Sequence, residues 1–317
     1  MTIGKNIDKA ITFVQNIVQI FFRYGENIMA AKQRIEFTKM QGCGNDYVYI
    51  DGGRFHIPME SKPEIVRRMS NRNFGIGSDG VIFINPVVDG SAEFEMEMWN
   101  ADGTRSEMCG NGMRCVGKYV YDKGLTDKER VAVVSAGQVK YLDYTIENGQ
   151  VVQVKVNMGQ PILKAAEVPV VSELEQSIDE EIEVEGKTYR MTCVSMGNPH
   201  AVVFMDNVAD LDIEAVGPFF ENHKRFPRRT NTEFVRVIDR QTLEMRVWER
   251  GTGETLACGT GACATAVAAI LNGHTDDKVT VKLLGGDLII EWDREANLVY
   301  MTGPAVISFE GIIEVCV

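Results

Sequence analysis

The sequence predicts an α+β protein built from two homologous halves related by a pseudo-twofold axis. Two observations carry that prediction. EMEMWNADGTRSEMCGNG (95–112) lies without a gap over EMRVWERGTGETLACGTG (244–261), with Trp99 over Trp248 and Cys109 over Cys258. The order of features also recurs at a nearly constant offset, 258 − 109 = 149 at the cysteines and 198 − 45 = 153 between the Gly-Asn pairs of CGNDYVYID and MGNPHAVVFMD. A period this long signals a duplicated domain, since solenoid repeats run to roughly 20–50 residues.

Along the chain, residues 1–34 form an extension in which Ile7, Ile11, Val14, Val18, Phe21 and Phe22 fall at helical spacing. An added helix, or a start upstream of Met29, accounts for it more simply than docking to a membrane surface or a partner. The N-terminal half spans 35–160 and carries Cys109; a connecting segment spans 161–189; the C-terminal half spans 190–317 and carries Cys258. FEMEMW and TLEMRVW alternate as strands do. MRCVGKYVYDKG (113–124) and ACATAVAAILNG (262–273) read as helices, each stopped by a glycine that can take a left-handed cap.

Composition narrows the function classes. The 317 residues are 44% hydrophobic and 25% charged, as globular chains are, and long enough for two cores. A net charge of −12 argues against a nucleic-acid partner, which needs a concentrated basic surface. No uninterrupted apolar run reaches membrane-spanning length. Seven cysteines, an odd number spread thinly, favour a reducing, cytoplasmic setting over a disulfide framework.

The repeated Cys-Gly-X-Gly admits three readings. As a metal clip it is poorly spaced, because Cys109 and Cys115 are six apart, Cys258 and Cys263 five apart, and no histidine adjoins them. As a phosphate loop it lacks both the dinucleotide fingerprint and the Walker lysine. As a helix start it sets a thiol where unpaired N–H groups and the positive dipole end favour a thiolate, so both thiol pKa values are expected to fall. Glycines beside the cysteines let a small anion approach the amides. Two such thiols facing across a cleft would suit a racemase or epimerase, one acting as base and one as acid on opposite faces of a carbon. Such chemistry needs no pyridoxal cofactor. Cys43, Cys115, Cys193, Cys263 and Cys316 are read as ordinary small hydrophobes.

FTKMQGCGNDYVYID, WNADGTRSEMCGNGMRC, SMGNPHAVVF, RTNTEFV, WERGTGETLACGTGACA and VYMTGPA together resemble the diaminopimelate epimerase family over nearly all of 35–317. The resemblance implies two domains whose strands wrap a central helix, a homodimer, and interconversion of LL- and meso-diaminopimelate in lysine and cell-wall precursor synthesis, with neither cofactor nor metal. It implies Cys109 and Cys258 as the catalytic pair, and a backbone cradle for the reacting carboxylate at Gly110, Asn111, Gly259 and Thr260. Asn45, Asn100, Asn198, Asn231, Glu249 and Arg250 become substrate contacts, with Arg250 able to clasp a distal carboxylate. His200 and Glu249 match positions that tune the cysteines, and Tyr300 matches a dimer contact. Two departures stand out: many members carry Gln where this chain has Gly80, and the 34-residue extension lies outside the pattern. Proline racemases and hydroxyproline epimerases share the two-cysteine design but typically have Gly-His after the first cysteine, where this chain has Gly110-Asn111. A non-catalytic amino-acid binder would leave the second cysteine unexplained.

Overall fold

The computed structural model describes residues 32–106 and 109–316, so the helix expected near 7–22 lies outside the described residues. Residues 32–34, grouped with the extension on sequence, belong instead to the first strand. In the N-terminal half run β1 (Lys32–Gly42), β2 (Asn45–Asp51), β3 (Gly80–Pro86), β4 (Phe94–Asn100), β5 (Arg105–Ser106), β6 (Arg130–Ser135), β7 (Gln138–Glu147) and β8 (Gln150–Gly159). The C-terminal half repeats them as β10 (Lys187–Ser195), β11 (Pro199–Phe204), β12 (Asn231–Asp239), β13 (Thr242–Glu249), β14 (Gly253–Thr255), β15 (Lys278–Leu283), β16 (Gly286–Asp293) and β17 (Leu298–Gly303).

Pairing repeats as faithfully as sequence. β1 runs antiparallel to β2, β2 parallel to β3, β3 antiparallel to β4, β4 parallel to β6, and β6, β7 and β8 follow antiparallel. From β10 to β17 the same alternation of directions recurs. The halves meet where β8 pairs antiparallel with its own counterpart β17, so one continuous sheet crosses the pseudo-twofold axis.

The edges do not follow the divisions expected at 160 and 190. β9 (Glu180–Val184), from the connecting segment, pairs with β10 and completes the C-terminal half. β18 (Val306–Cys316), which follows β17, returns to the N-terminal half and lies along β1 from Lys32–Cys316 to Gln41–Val306. Each half is therefore closed by the strand that follows the other half's neighbour at the junction.

Each curved sheet wraps one buried helix, α2 (Gly110–Asp122) in the first half and α4 (Gly259–Leu271) in the second, each of 13 residues. Both begin three residues before the segments that periodicity marked, and both end on a left-handed glycine, Gly124 (φ +69°) and Gly273 (φ +72°). Met113, Val116 and Val120 of α2 and the alanine-rich face of α4 share one apolar core spanning both halves. On the outer faces α1 (Lys62–Ser70) packs Ile65, Val66 and Met69 near Trp99, while α3 (Ile213–Glu221) packs Phe220 near Trp248. Burial alone does not satisfy an indole N–H. Trp99 donates to Glu97 at 2.8 Å and Trp248 to Glu221 at 2.7 Å. Among the described residues no helix is long and apolar enough to cross a membrane.

Candidate active site

Cys109 and Cys258 are the N-cap residues of α2 and α4. Both are extended, at φ −136°, ψ 116° and φ −122°, ψ 110°. Their sulfur atoms accept the N–H of Gly112 and of Gly261, each at 3.3 Å, which is the capping role usually filled by Ser or Asp. The two helix starts abut: a Cβ on Gly259 would stand 3.8 Å from the Cα of Gly110, and one on Gly110 would stand 2.8 Å from Met301 Cε of β17. Glycine at both positions is what lets two positive helix ends meet.

Both cysteines line one cavity of about 1340 Å³. Asn45, Asn100, Gly110, Asn111, Asn198, Glu249, Gly259 and Thr260 line it too, so most residues singled out on sequence converge there. Asn231 and Arg250 do not. Asn231 is buried, donates to the Pro199 carbonyl at 2.9 Å, and accepts the backbone N–H of Arg250 at 3.0 Å, holding the turn that presents Glu249. The Arg250 guanidinium donates to the Arg228 carbonyl. His200 lies fully buried behind Asn198, and Tyr300 stands on β17 outside the cavity with the Lys155 ammonium 4.4 Å from its ring centre.

The two equivalent asparagines present opposite ends of their amides. Asp79 accepts the Asn45 side-chain N–H at 2.7 Å and is itself paired with Arg72 at 2.8 Å. That fixes the Asn45 oxygen toward Cys109, whose thiol donates to it at 3.1 Å. In the other half His200 Nε2 lies 3.0 Å from the Asn198 oxygen, so the Asn198 nitrogen faces outward and donates to the Thr260 hydroxyl at 3.2 Å. The Thr260 hydroxyl then lies 3.5 Å from the Cys258 sulfur, free to donate to it. His200 Nδ1 is anchored at 2.7 Å by the equally buried Glu233.

The expected fall in thiol pKa is corrected by the structure. Burial pushes Cys109 up, against the opposing pull of the Gly112 N–H, Arg114 and the Asn111 N–H. Cys258 is pushed well up by burial and then by the Glu249 and Glu233 carboxylates, against Thr260 and the Gly261 N–H. Burial likewise raises the Glu249 carboxyl, although Thr255 donates to it. Helix ends do favour the anion here, but losing water disfavours it more. Both thiols therefore hold their protons more tightly than a free cysteine does.

Sequence reasoning missed Asp79, Arg72, Glu233, Thr255 and Arg114, which act on the named residues from behind. Their signal was adjacency: Asp79 precedes Gly80, Glu233 lies in RTNTEF, and Arg114 in CGNGMRC. At Gly80 a Cβ would fall 2.0 Å from the Trp99 carbonyl oxygen, so the strand crossing leaves no room for a side chain. No group of three or more His, Cys, Asp or Glu that could hold a metal occurs among the described residues.

The model of the diaminopimelate epimerase family matches residues 37–164 and 192–308, on both sides of the junction. The chain belongs to this family. It is 54% identical over 281 residues to a diaminopimelate epimerase of Methanococcus maripaludis, covering 89% of this chain and all of that one. A diaminopimelate epimerase of Acetivibrio thermocellus is also 54% identical, over 88% of this chain and 99% of its own. Among solved structures, a hydroxyproline epimerase from Agrobacterium vitis superposes with a TM-score of 0.66 at 14% identity, covering 91% of this chain and 95% of that one. A PhzF-family phenazine biosynthesis protein of Bacillus anthracis gives 0.64 at 16% identity, over 90% and 100%. At such identities these two attest the fold alone.

Proposed function

We propose that the protein is a diaminopimelate epimerase, an isomerase that interconverts LL- and meso-diaminopimelate for lysine and peptidoglycan precursor synthesis by a two-thiol mechanism. The observation that carries this reading is the pair of cysteine-capped helix starts abutting in one cavity. The substrate's reacting carboxylate binds the first-turn N–H groups of Gly110, Asn111, Gly259 and Thr260, which have no acceptor within their own helices. Those dipoles stabilise the charge that grows on the carboxylate as the α-proton leaves. Cys109 and Cys258 act on opposite faces of the reacting carbon, one as thiolate base and the other as thiol acid. One proton leaves to the base, the other arrives from the acid, and the carbon inverts. The reverse reaction starts from the opposite protonation.

Asn45, Asn100, Asn198 and Glu249 supply the polar contacts for the substrate's ammonium groups. Closure of the turn held by Asn231 brings Arg250 to the distal carboxylate. The enzyme works in the cytoplasm as a homodimer joined near Tyr300; a single-copy mass in sedimentation would remove the dimer from this reading.

The deciding experiment follows deuterium from heavy water into LL-diaminopimelate, with L-proline and trans-4-hydroxy-L-proline in parallel. Exchange at one α-carbon of diaminopimelate, with accumulation of the meso isomer, is the expected result. Exchange into proline or hydroxyproline alone would move the protein to the sibling activity.

A further inference from the structure

Arg114 is the largest fully buried side chain among the described residues. Its Nε donates to the Pro304 carbonyl at 3.1 Å, one terminal nitrogen to the Asn111 side-chain oxygen at 2.8 Å and to Cys43 Sγ at 3.7 Å, and the other to Met301 Sδ at 3.5 Å. None of these partners is a carboxylate. The fold is cut to fit this group: a Cβ on Gly42 would stand 3.0 Å from its terminal nitrogen, and one on Gly303 would stand 3.1 Å from Nε.

Such a placement is costly twice over. A buried charge without an opposite charge costs several kcal/mol. A cation near the start of a helix also opposes the dipole. Arg114 is the fifth residue of α2, and the residue at the same place in α4 is Cys263, so the cost is incurred in one half only. What offsets it must be an anion close by. The cavity at the head of α2, reached through Asn111, is where the proposed reaction places a carboxylate, a thiolate and, as the proton leaves, a further negative charge.

We infer that Arg114 is a positioning residue whose buried guanidinium is the standing counter-charge of the reaction centre, acting through Asn111 and the first turn of α2. It pre-sets a positive potential at the cradle without entering the cavity, and it ties that turn to the Pro304 corner, where the chain leaves β17 for β18. The position of Cys109 agrees with this, since Arg114 is one of the groups that oppose the effect of burial on its thiol. The inference rests on the epimerase reading, and the test separates the two.

Wild-type protein, Arg114→Lys and Arg114→Gln are assayed for diaminopimelate epimerisation in both directions across pH, each checked by circular dichroism for its fold. Wild-type activity secures the epimerase reading by itself. Arg114→Lys keeps the charge and is expected to keep the wild-type acid limb of kcat/KM, with kcat within about fivefold. Arg114→Gln keeps a hydrogen-bond donor and loses the charge. The Cys109 thiolate forms less readily, so the acid limb moves up by about one pH unit in the direction that uses Cys109 as base, and kcat falls about 10²-fold, as when an oxyanion donor is removed, with a smaller change in KM. A wild-type limb in folded Arg114→Gln, or a displaced limb in folded Arg114→Lys, would overturn the inference. If Arg114→Gln does not fold, the limb of Arg114→Lys decides.

Discussion

The head of α2 and the head of α4 have the same backbone and different neighbours. At Cys109 the thiol is partly open and meets the oxygen of Asn45, held in place by Asp79 and Arg72. At Cys258 the thiol is buried, meets the hydroxyl of Thr260, and has the carboxylates of Glu249 and Glu233 nearby. A buried cation, Arg114, stands on one side only. Duplication supplied two like devices, and the residues behind them set one thiol against an amide oxygen and the other against a hydroxyl. A two-base inversion needs that inequality, because one face of the carbon gives up its proton while the other receives one.

The widest break in this comparison comes from the thiols themselves. Cys109→Ala and Cys258→Ala should each cut turnover by about 10²–10⁴, the range for losing a positioned acid or base. Near-normal kcat in either variant would show that the two heads are not both needed.

The outer tryptophans give a second contrast. Trp99 is anchored by Glu97, which is buried with Lys62 at 2.7 Å, whereas the Glu221 that anchors Trp248 pairs with the half-exposed Arg229. Lys62→Met should destabilise by about 3 kcal/mol, since it leaves the buried carboxylate only the half-exposed Arg105 at 3.3 Å as a cation, and Arg229→Met by about 1 kcal/mol or less. Burial alone would raise the Glu97 carboxyl, but hydrogen bonds from Lys62, Asn85 and Trp99 outweigh it and hold the group below its ordinary value. Its contribution to stability is therefore full above the ordinary glutamate range and lost as pH falls through the lower, folded-state value. Melting curves from pH 7 downward should show that loss in wild type. Equal melting of the two variants at pH 7 would contradict the contrast.

A finer probe uses glycine. A Cβ on Gly261 would lie 2.6 Å from the Glu233 carboxylate, while one on Gly112 would lie 2.8 Å from the movable Cδ1 of Ile82. Gly261→Ala should cost about 1–3 kcal/mol by overpacking and Gly112→Ala clearly less; the opposite order in thermal melts would count against this packing.

The smallest effect is the most selective. Neutralising Glu233 as Gln removes one of the charges raising Cys258, so the pH at which iodoacetamide alkylates Cys258 should fall while that of Cys109 stays put. Peptide mapping across pH reads both, and a shift at Cys109 of equal size would erase the distinction drawn here.

Much of this was legible in the residues. Gap-free alignment through Trp99 and Trp248 revealed the duplication, and Gly124 and Gly273 marked the helix ends. Cysteine followed by glycine marked the helix starts. The sign of the thiol shift was not legible, because a helix terminus can be read from spacing but the depth of burial cannot. Nor was the inward turn of Asn231, whose amide is consumed by two backbone groups distant in sequence. Alternation likewise announces a strand and not its partner, so the pairing of 180–184 with the second half and of 306–316 with the first could not be read from the chain.

The pairing of β18 with β1 has a consequence for synthesis. Residues 32–42 emerge from the ribosome long before residues 306–316, and until those arrive the first half has an open edge. The first half therefore cannot close on its own residues, whereas the second is closed by β9, which precedes it directly in the chain. Every residue lining the cleft, Gly44 to Thr260, is made before that seam can close, so the frame around the site waits on a strand that adds nothing to its lining.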